Sequence, residues 1–276
     1  MNAPQGAVGD TRDDLATGSD LALARSIVYE TLAIALNDPG LVRLDKLHAA
    51  ETSPALLEAA HILDHSDAAA PHAYEDAQIC DLAPLVGELC TAVREQDAGE
   101  LSDSFSRLFG HTARGRVTAY ETEYGAGSST FRQTQELADI SGFYEAFGLK
   151  TAETAHQRCD HIVVECEFMA FLARKEAYQR EHGPEESLKA VRHAQRLFLD
   201  DHLGRFGRAF AVSLIKEADN PVHAAAGKLF EAFLMMECRR WGVEPATRFV
   251  PLRPDTEEEV PMACGSCELN TGGSPA

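Results

Sequence analysis

One stretch of the chain decides the fold: residues 160–180, which read DHIVVECEFMAFLARKEAYQR. Its apolar residues recur at steps of 4, 3 and 4, namely Ile162, Cys166, Met169 and Ala173. This spacing places the four side chains on one face of an α-helix, whereas a strand would need apolar and polar residues in alternation. The stretch therefore predicts a long helix, and the Gly-Pro pair at 183–184 predicts its end.

The same spacing recurs on both sides of this helix. Upstream, a helix starts at Asp20, and the sequence NDPG at 37–40 predicts its end. A further helix runs through Phe143 to a glycine C-cap at 148. Shorter helical patterns lie around 41–50, 54–65, 78–97 and 99–109. Downstream, one helix starts at Glu185 and carries Leu199 to Leu214, and the last starts after Asn220 and Pro221. No alternating run of β-branched residues competes, so the sequence predicts an all-α protein, a compact bundle of about ten helices.

Breaks in these patterns divide the chain into five segments. Residues 1–19 lack periodicity and are predicted to be a disordered arm. A hinge at 149–158 then separates an N-terminal helical subdomain, 20–148, from a C-terminal helical subdomain, 159–243. Residues 244–276, rich in Pro, Glu and Gly, are predicted to be a flexible acidic tail.

The charge of the chain limits its partners. Its 276 residues carry 25 Lys and Arg against 44 Asp and Glu, a formal net charge of −19. Nucleic acids and anionic membrane surfaces need a supply of cations, so we expect neither as a partner, whereas a basic partner would be attracted. No apolar run reaches the roughly 18 residues of a transmembrane helix. Residues 1–19 lack the basic and then apolar order of a secretory signal. The seven cysteines are scattered along the chain, which is typical of a protein in a reducing compartment. We therefore expect a cytoplasmic protein.

Several short motifs admit a catalytic or metal-binding interpretation. Cys264 and Cys267 form a Cys-x-x-Cys pair. Such a pair can supply two of the four ligands of a zinc site or catalyse thiol exchange. The alternative is a mobile dithiol that binds no metal. His61 and His65 share a helix face but lack the glutamate of a metalloprotease motif, and we expect them to be solvated. Since no P-loop or nucleophile elbow is present, the sequence predicts no catalytic residue and no cofactor.

Two clusters are more informative. The first is YETEY at 120–124, inside a Gly-rich segment that follows Phe105, Leu108 and Phe109. Aromatic rings interleaved with the carboxylate of Glu121 suit a ligand that offers apolar side chains and guanidinium groups. The alternative is that Tyr120 and Tyr124 pack on the core and hold the loop.

The second cluster lies at the start of the helix quoted first. Asp160 stands at the expected N-cap position, and His161 and Glu165 are one turn apart. The same residues therefore fit either a binding site or an ordinary helix start with an i, i+4 pair.

In this order and in an acidic all-α chain, the two clusters resemble the TorD/DmsD/NarJ-type family of molybdoenzyme maturation chaperones, over about 26–240. The resemblance is carried by RSIVYETLA at 25–33, YETEY at 120–124, DHI at 160–162 with ECEFM at 165–169, and QRLFLDDHL at 195–203. Arg158 stands where the family often has Pro, Cys166 replaces the usual Leu, and the Cys-x-x-Cys tail is not part of the pattern.

The resemblance implies a cytoplasmic chaperone that binds the twin-arginine leader and the apo-form of a molybdoenzyme catalytic subunit of the dimethyl-sulfoxide-reductase class. It would hold this client, as a monomer or a homodimer, until the molybdopterin cofactor is inserted before export. The implied binding residues are Phe105, Leu108, Phe109, Tyr120, Glu121, Tyr124, Asp160, His161 and Glu165. A metal-binding or thiol-redox protein that acts through Cys264 and Cys267 remains the alternative. A nucleotide-dependent regulator is a third possibility, because weak GTP binding has been proposed in the family, although no P-loop supports it in this sequence.

Overall fold

A computed structural model describes residues 16–40, 52–68, 81–110, 115–125, 130–151 and 157–253. The α-helices are α1 Gly18–Ala35, α2 Thr52–Ala68, α3 Leu82–Glu95, α4 Ala98–Phe109, α5 Thr130–Ala146, α6 Ile162–His182, α7 Glu185–Phe198, α8 Gly204–Glu217 and α9 Pro221–Trp241. Within the described ranges the only strand-like pairings are two isolated β-bridges, so the prediction of an all-α fold is confirmed. The helix predicted around 41–50 lies outside these ranges.

Helix α6 packs between α1 and α7 and buries the face that its sequence predicts. Ile162, Cys166, Met169 and Ala173 are all fully buried, and α1 packs along this helix. The N-cap differs from the prediction, because the His161 side chain, not that of Asp160, accepts the Val163 amide hydrogen bond at 3.2 Å. The Asp160 carboxylate therefore does not cap the helix, and it binds other groups near the helix start.

Helix α1 begins two residues earlier than its pattern predicts. Thr17 is the N-cap, and its hydroxyl accepts from the Asp20 amide while the Asp20 carboxylate accepts from the Thr17 amide. This reciprocal pair satisfies two amide groups that a helix start otherwise leaves unpaired. Residues 1–15, most of the predicted arm, lie outside the described ranges.

A buried ion network joins helices from both sides of the predicted hinge. The guanidinium of Arg25 in α1 donates to Glu237 of α9, to Glu176 of α6 and to Gln195 of α7, at 2.6 to 3.0 Å. These four side chains are at most 3% exposed, and one hydrophobic core surrounds them. Helices from both predicted subdomains thus share one core, and the division into subdomains at a hinge over 149–158 stays a prediction.

The helix predicted from Glu185 through Leu214 is continuous but irregular. Between α7 and α8 the residues Leu199–Leu203 form a π-helical turn, which contains His202. Such turns insert one residue into an α-helix and are frequent at functional sites. The insertion directs His202 into the interior, where it is 5% exposed.

After α9 the chain turns back across the molecule. The Ala246 amide donates to the Gly204 carbonyl, and Leu252 forms a β-bridge with Tyr124. On either side of this bridge the Gly125 amide donates to Pro251 and the Arg253 amide to Glu123, both at 2.8 Å. Residues 244–253, the first part of the predicted tail, therefore lie against the protein. The remainder, with Cys264 and Cys267, lies outside the described residues.

Candidate functional site

The segment 115–125, here called the aromatic loop, lies between α4 and α5 in the chain and packs against the end of α4 and the start of α6. At one end the Val117 amide donates to the Leu108 carbonyl at 2.9 Å. A side chain at Gly115 would collide with that same carbonyl, so only glycine lets the loop approach so closely. At the other end the Ile162 amide donates to Ala119, and Tyr120 forms a β-bridge with His161. The loop is thus held by backbone hydrogen bonds on both sides.

Asp160 fastens the aromatic loop from the inside. Its carboxylate is fully buried, and Oδ2 accepts from the Thr122 amide at 3.2 Å and from the Thr122 hydroxyl at 2.8 Å. Arg158 approaches the same carboxylate from the solvent side, with Nε 2.9 Å from Oδ1 and Nη2 2.7 Å from Oδ2. Asp160 is predicted as a helix cap or a ligand carboxylate, but in the structure it joins the loop to the residues that precede α6.

Tyr120 forms the outer wall of this arrangement. Its ring meets the His161 ring edge to face at 5.0 Å, and the guanidinium carbon of Arg158 lies 4.3 Å from its centroid. Burial lowers the pKa of His161 to about 4, so this imidazole is neutral and its Nδ1 can accept the Val163 amide. Arg158 thus lies between an aromatic face and a carboxylate, on a side chain that is 47% exposed.

Three ionisable side chains meet on the inner side of the loop. Glu121 is 7% exposed, and its carboxylate oxygens lie 3.2 and 3.3 Å from Nδ1 of His202 in the π-helical turn. Glu165 is fully buried beside it, and neither of its oxygens has a hydrogen-bond partner. Burial first, and then the neighbouring Glu121 and Asp160, raise the pKa of Glu165 well above its ordinary 4.5. Glu165 is therefore held as the neutral acid.

This protonation predicts a stability difference that depends on pH. A carboxyl whose pKa is raised by folding stabilises the fold fully below the unfolded pKa and loses that contribution as the pH rises. Glu165→Gln imitates the neutral acid at every pH, so we expect the variant to match wild type near pH 4 and to exceed its free energy of unfolding at pH 7. Urea unfolding at both pH values measures the difference.

Glu58→Gln is the matched control, because Glu58 lies exposed on α2. In this variant the free energy of unfolding should change between pH 4 and pH 7 by the same amount as in wild type. A Glu165→Gln variant that is less stable than wild type at pH 7 would show that Glu165 is ionised in the fold.

The remaining predicted residues form a second aromatic group. Phe105 and Phe109 of α4 contact each other at 4.8 Å, and both rings lie 6.2 Å from His223 of α9. Leu108 and Phe105 are buried, and Phe109 is partly buried. The buried Tyr124 packs on Phe206 at 5.3 Å, and its hydroxyl donates to the Thr118 carbonyl. The structure therefore gathers Tyr120, Glu121, Asp160, His161 and Glu165 around the start of α6. In the second group, Tyr124 holds the loop to α8, and Phe105 and Phe109 join α4 to α9.

Sequence reasoning missed three residues of the site: Thr122, Arg158 and His202. Arg158 stands out in the sequence only as a departure from a family pattern, and Thr122 and His202 give no signal in their local spacing. In the part of the chain that the structure describes, no group of three or more His, Cys, Asp or Glu side chains is arranged to hold a metal ion. No described helix is long and apolar enough to cross a membrane.

Comparison with known proteins places the chain in a family. The family model described as nitrate reductase delta subunit matches residues 75–212, which is half of the chain and includes the aromatic loop and α6. The chain belongs to this family. The residues matched by the model of the nitrate reductase delta subunit family include both sequence clusters of the site, 120–124 and 160–165.

The individual relatives share between 28% and 29% sequence identity with this chain. The chain is 28% identical to the chaperone protein TorD of Photobacterium profundum, over 52% of this chain and 65% of that protein. It is 28% identical to the TorD of Vibrio cholerae serotype O1, over 55% of this chain and 68% of that protein. It is 29% identical to the perchlorate reductase assembly chaperone protein of Dechloromonas aromatica, over 67% of this chain and 75% of that protein. The chain thus spans about two thirds to three quarters of the length of these relatives, which are all named as chaperones.

Proposed function

We propose that this protein is an assembly chaperone for a molybdoenzyme. It binds the twin-arginine leader and the apo-form of a catalytic subunit of the dimethyl-sulfoxide-reductase class. It holds this client in the cytoplasm until the molybdopterin cofactor is inserted, and it performs no catalysis itself. The names of the relatives support the chaperone role, and the aromatic loop supports the binding of arginine.

One observation carries the proposal: the loop already holds a guanidinium group. The Tyr120 ring and the Asp160 carboxylate supply the stacking face and the bidentate acceptor that arginine uses in protein recognition. A leader with paired arginines and an apolar stretch offers the complementary groups. We infer that its arginines contact Tyr120 and its neighbours, on the solvent side of the loop.

The charge of the chain supports the same partner. A net charge of −19 attracts a basic leader over distances up to about the Debye length, close to 10 Å at 0.1 M salt. This long-range attraction raises the association rate, whereas the stacking contact at Tyr120 limits dissociation. Salt should therefore weaken binding mainly through slower association.

Tyr120→Ala tests the site. Loss of the aromatic face should weaken leader binding by about tenfold, which corresponds to about 1–2 kcal/mol for a partly desolvated cation–π contact. Titration calorimetry with leader peptides from the host's dimethyl-sulfoxide-reductase-class subunits measures the change. The same peptides with both arginines replaced by lysine should bind wild type more weakly, because lysine neither stacks nor bonds as a fork.

Tyr178→Ala is the matched control, since Tyr178 is a tyrosine on the same helix bundle that is 61% exposed and stacks on His182. It should bind the peptides like wild type. Equal affinity of the folded Tyr120→Ala variant and wild type would place the leader elsewhere, and no binding of any host leader by wild type would contradict the proposed function.

A further inference from the structure

Arg158 occupies the position that an arginine of a bound leader would take. Its guanidinium donates through Nε and Nη2 to both oxygens of Asp160, and Nη2 also lies 3.0 Å from the Thr122 hydroxyl. The Tyr120 ring covers its face at 4.3 Å. All the contacts of a complete arginine-binding site are therefore made, and they are made by a residue of the same chain.

We propose that the cleft between Tyr120, Thr122 and Asp160 is a guanidinium site whose resting occupant is Arg158, and that an incoming arginine displaces it. The identity of that arginine, one from a client leader, rests on the proposed function. The existence of the site and its internal occupant rests on the geometry alone.

The geometry selects guanidinium over other cations. The two oxygens of Asp160 receive two nearly parallel N–H bonds, a pattern that the planar fork of arginine matches and a single ammonium does not. The flat cation also lies over the Tyr120 ring, which adds a stacking contact. Lysine at the same place would keep the charge but lose the fork and the stacking.

The two kinds of partner at Asp160 differ in how readily they can exchange. Thr122 is 2% exposed and belongs to the loop, so its amide and hydroxyl hold the carboxylate from the inside. Arg158 is 47% exposed and reaches the carboxylate from solvent. If Arg158 rotates outward, its guanidinium is hydrated and Asp160 keeps both bonds from Thr122. Exchange for a second arginine then restores the same contacts.

Internal occupation lowers the apparent affinity for an external arginine. Only the fraction of molecules whose cleft is vacant can bind, so the apparent Kd rises by the inverse of that fraction. A cleft that is vacant about one tenth of the time binds about tenfold more weakly than a permanently open one. Removal of Arg158 should therefore strengthen binding, which is the opposite of what removal of a contact residue does.

The first test needs no client. Arg158→Ala should unfold at a lower temperature than wild type, because Asp160 loses its neutralising partner. Millimolar methylguanidinium should raise this unfolding temperature toward that of wild type, and methylammonium at equal ionic strength should not. Arg174→Ala is the control, since Arg174 forms an exposed pair with Glu30, and methylguanidinium should leave it and wild type unchanged.

The second test uses leader peptides with paired arginines. Arg158→Ala should bind them about tenfold more tightly than wild type, and peptides with paired lysines should gain little. Arg158→Lys keeps a cation beside Asp160 and serves if the alanine variant does not fold. It should bind the arginine peptides with an affinity between those of wild type and the open cleft.

The outcomes separate this inference from the proposed function. If wild type binds the arginine peptides and the folded Arg158 variants bind them no more tightly, displacement is wrong while the proposed function stands. If no variant binds them, the proposed function fails, and rescue by methylguanidinium still decides whether the cleft is a guanidinium site. Failure of methylguanidinium to stabilise either Arg158 variant relative to methylammonium would overturn the site itself.

Discussion

Asp160→Ala should lower the free energy of unfolding by about 3 kcal/mol. The fully buried carboxylate accepts two hydrogen bonds from Thr122 and two from Arg158. Its removal leaves the buried Thr122 amide without an acceptor, at about 1–3 kcal/mol, and removes the charge-assisted bonds as well. The Arg158 guanidinium can be hydrated after the substitution. The loss in free energy of unfolding should therefore be smaller than the loss caused by a buried charge without a partner. Chemical unfolding at pH 7 measures the effect.

Asp97→Ala supplies the matched control. Asp97 is an exposed aspartate that caps α4 by accepting from the Gly99 and Glu100 amides, and it performs the role that the sequence suggested for Asp160. Loss of an N-cap costs about 1 kcal/mol. If the two variants lose the same stability, Asp160 contributes no more than a cap, and the aromatic loop is held by its backbone hydrogen bonds alone.

Asp160→Asn separates the charge from the loop contacts. An asparagine oxygen can still accept from Thr122, so this variant should retain most of the stability while it loses the ion pair with Arg158. A variant that is folded but binds guanidinium groups poorly would assign the carboxylate to recognition. A variant that binds normally would assign it to the loop alone.

The helices could be predicted because their causes are local. A four-three-four spacing requires only that one face of α6 be buried, and Asn220 followed by Pro221 starts α9 where the sequence predicts it. The left-handed Gly148, with φ of 73°, likewise ends α5 as expected. The sequence places the cap of α6 one residue too early because Asp160 and His161 both have side chains that can accept from a helix start.

The site was harder to predict because its contacts are distant in sequence. Glu121 and His202 meet across 81 residues, and only the π-helical turn directs His202 to that partner. The apolar steps through Leu199 and Leu203 look the same whether or not such a turn is present. Residue types indicated a carboxylate and a ring that bind arginine, but they gave no sign that the arginine would be Arg158.

Arg25→Met should destabilise the fold more than Asp160→Ala, by about 3–5 kcal/mol. The substitution preserves much of the side-chain volume but leaves Glu237, which is fully buried, without the guanidinium that approaches it at 2.6 Å. Glu176 loses one of its cations but keeps Arg180 and Arg192. Glu237 keeps the Tyr29 hydroxyl at 3.1 Å and the more distant Arg240 at 3.6 Å, but it loses the guanidinium that donates to both of its oxygens, so the cost arises mainly there.

A double variant tests this assignment. Arg25→Met combined with Glu237→Met removes both charges and fills the space with apolar atoms, an exchange that is often neutral for buried pairs, so most of the lost stability should return. Arg174→Met, which breaks the exposed pair with Glu30, should change stability by no more than about 1 kcal/mol. If the double variant is no more stable than Arg25→Met alone, the contribution of Arg25 lies in Glu176 and Gln195 instead. Leader affinity of the folded protein should stay at the wild-type value in every case, because this network lies beneath α1 and makes no contact with the Tyr120–Asp160 cleft among the described residues.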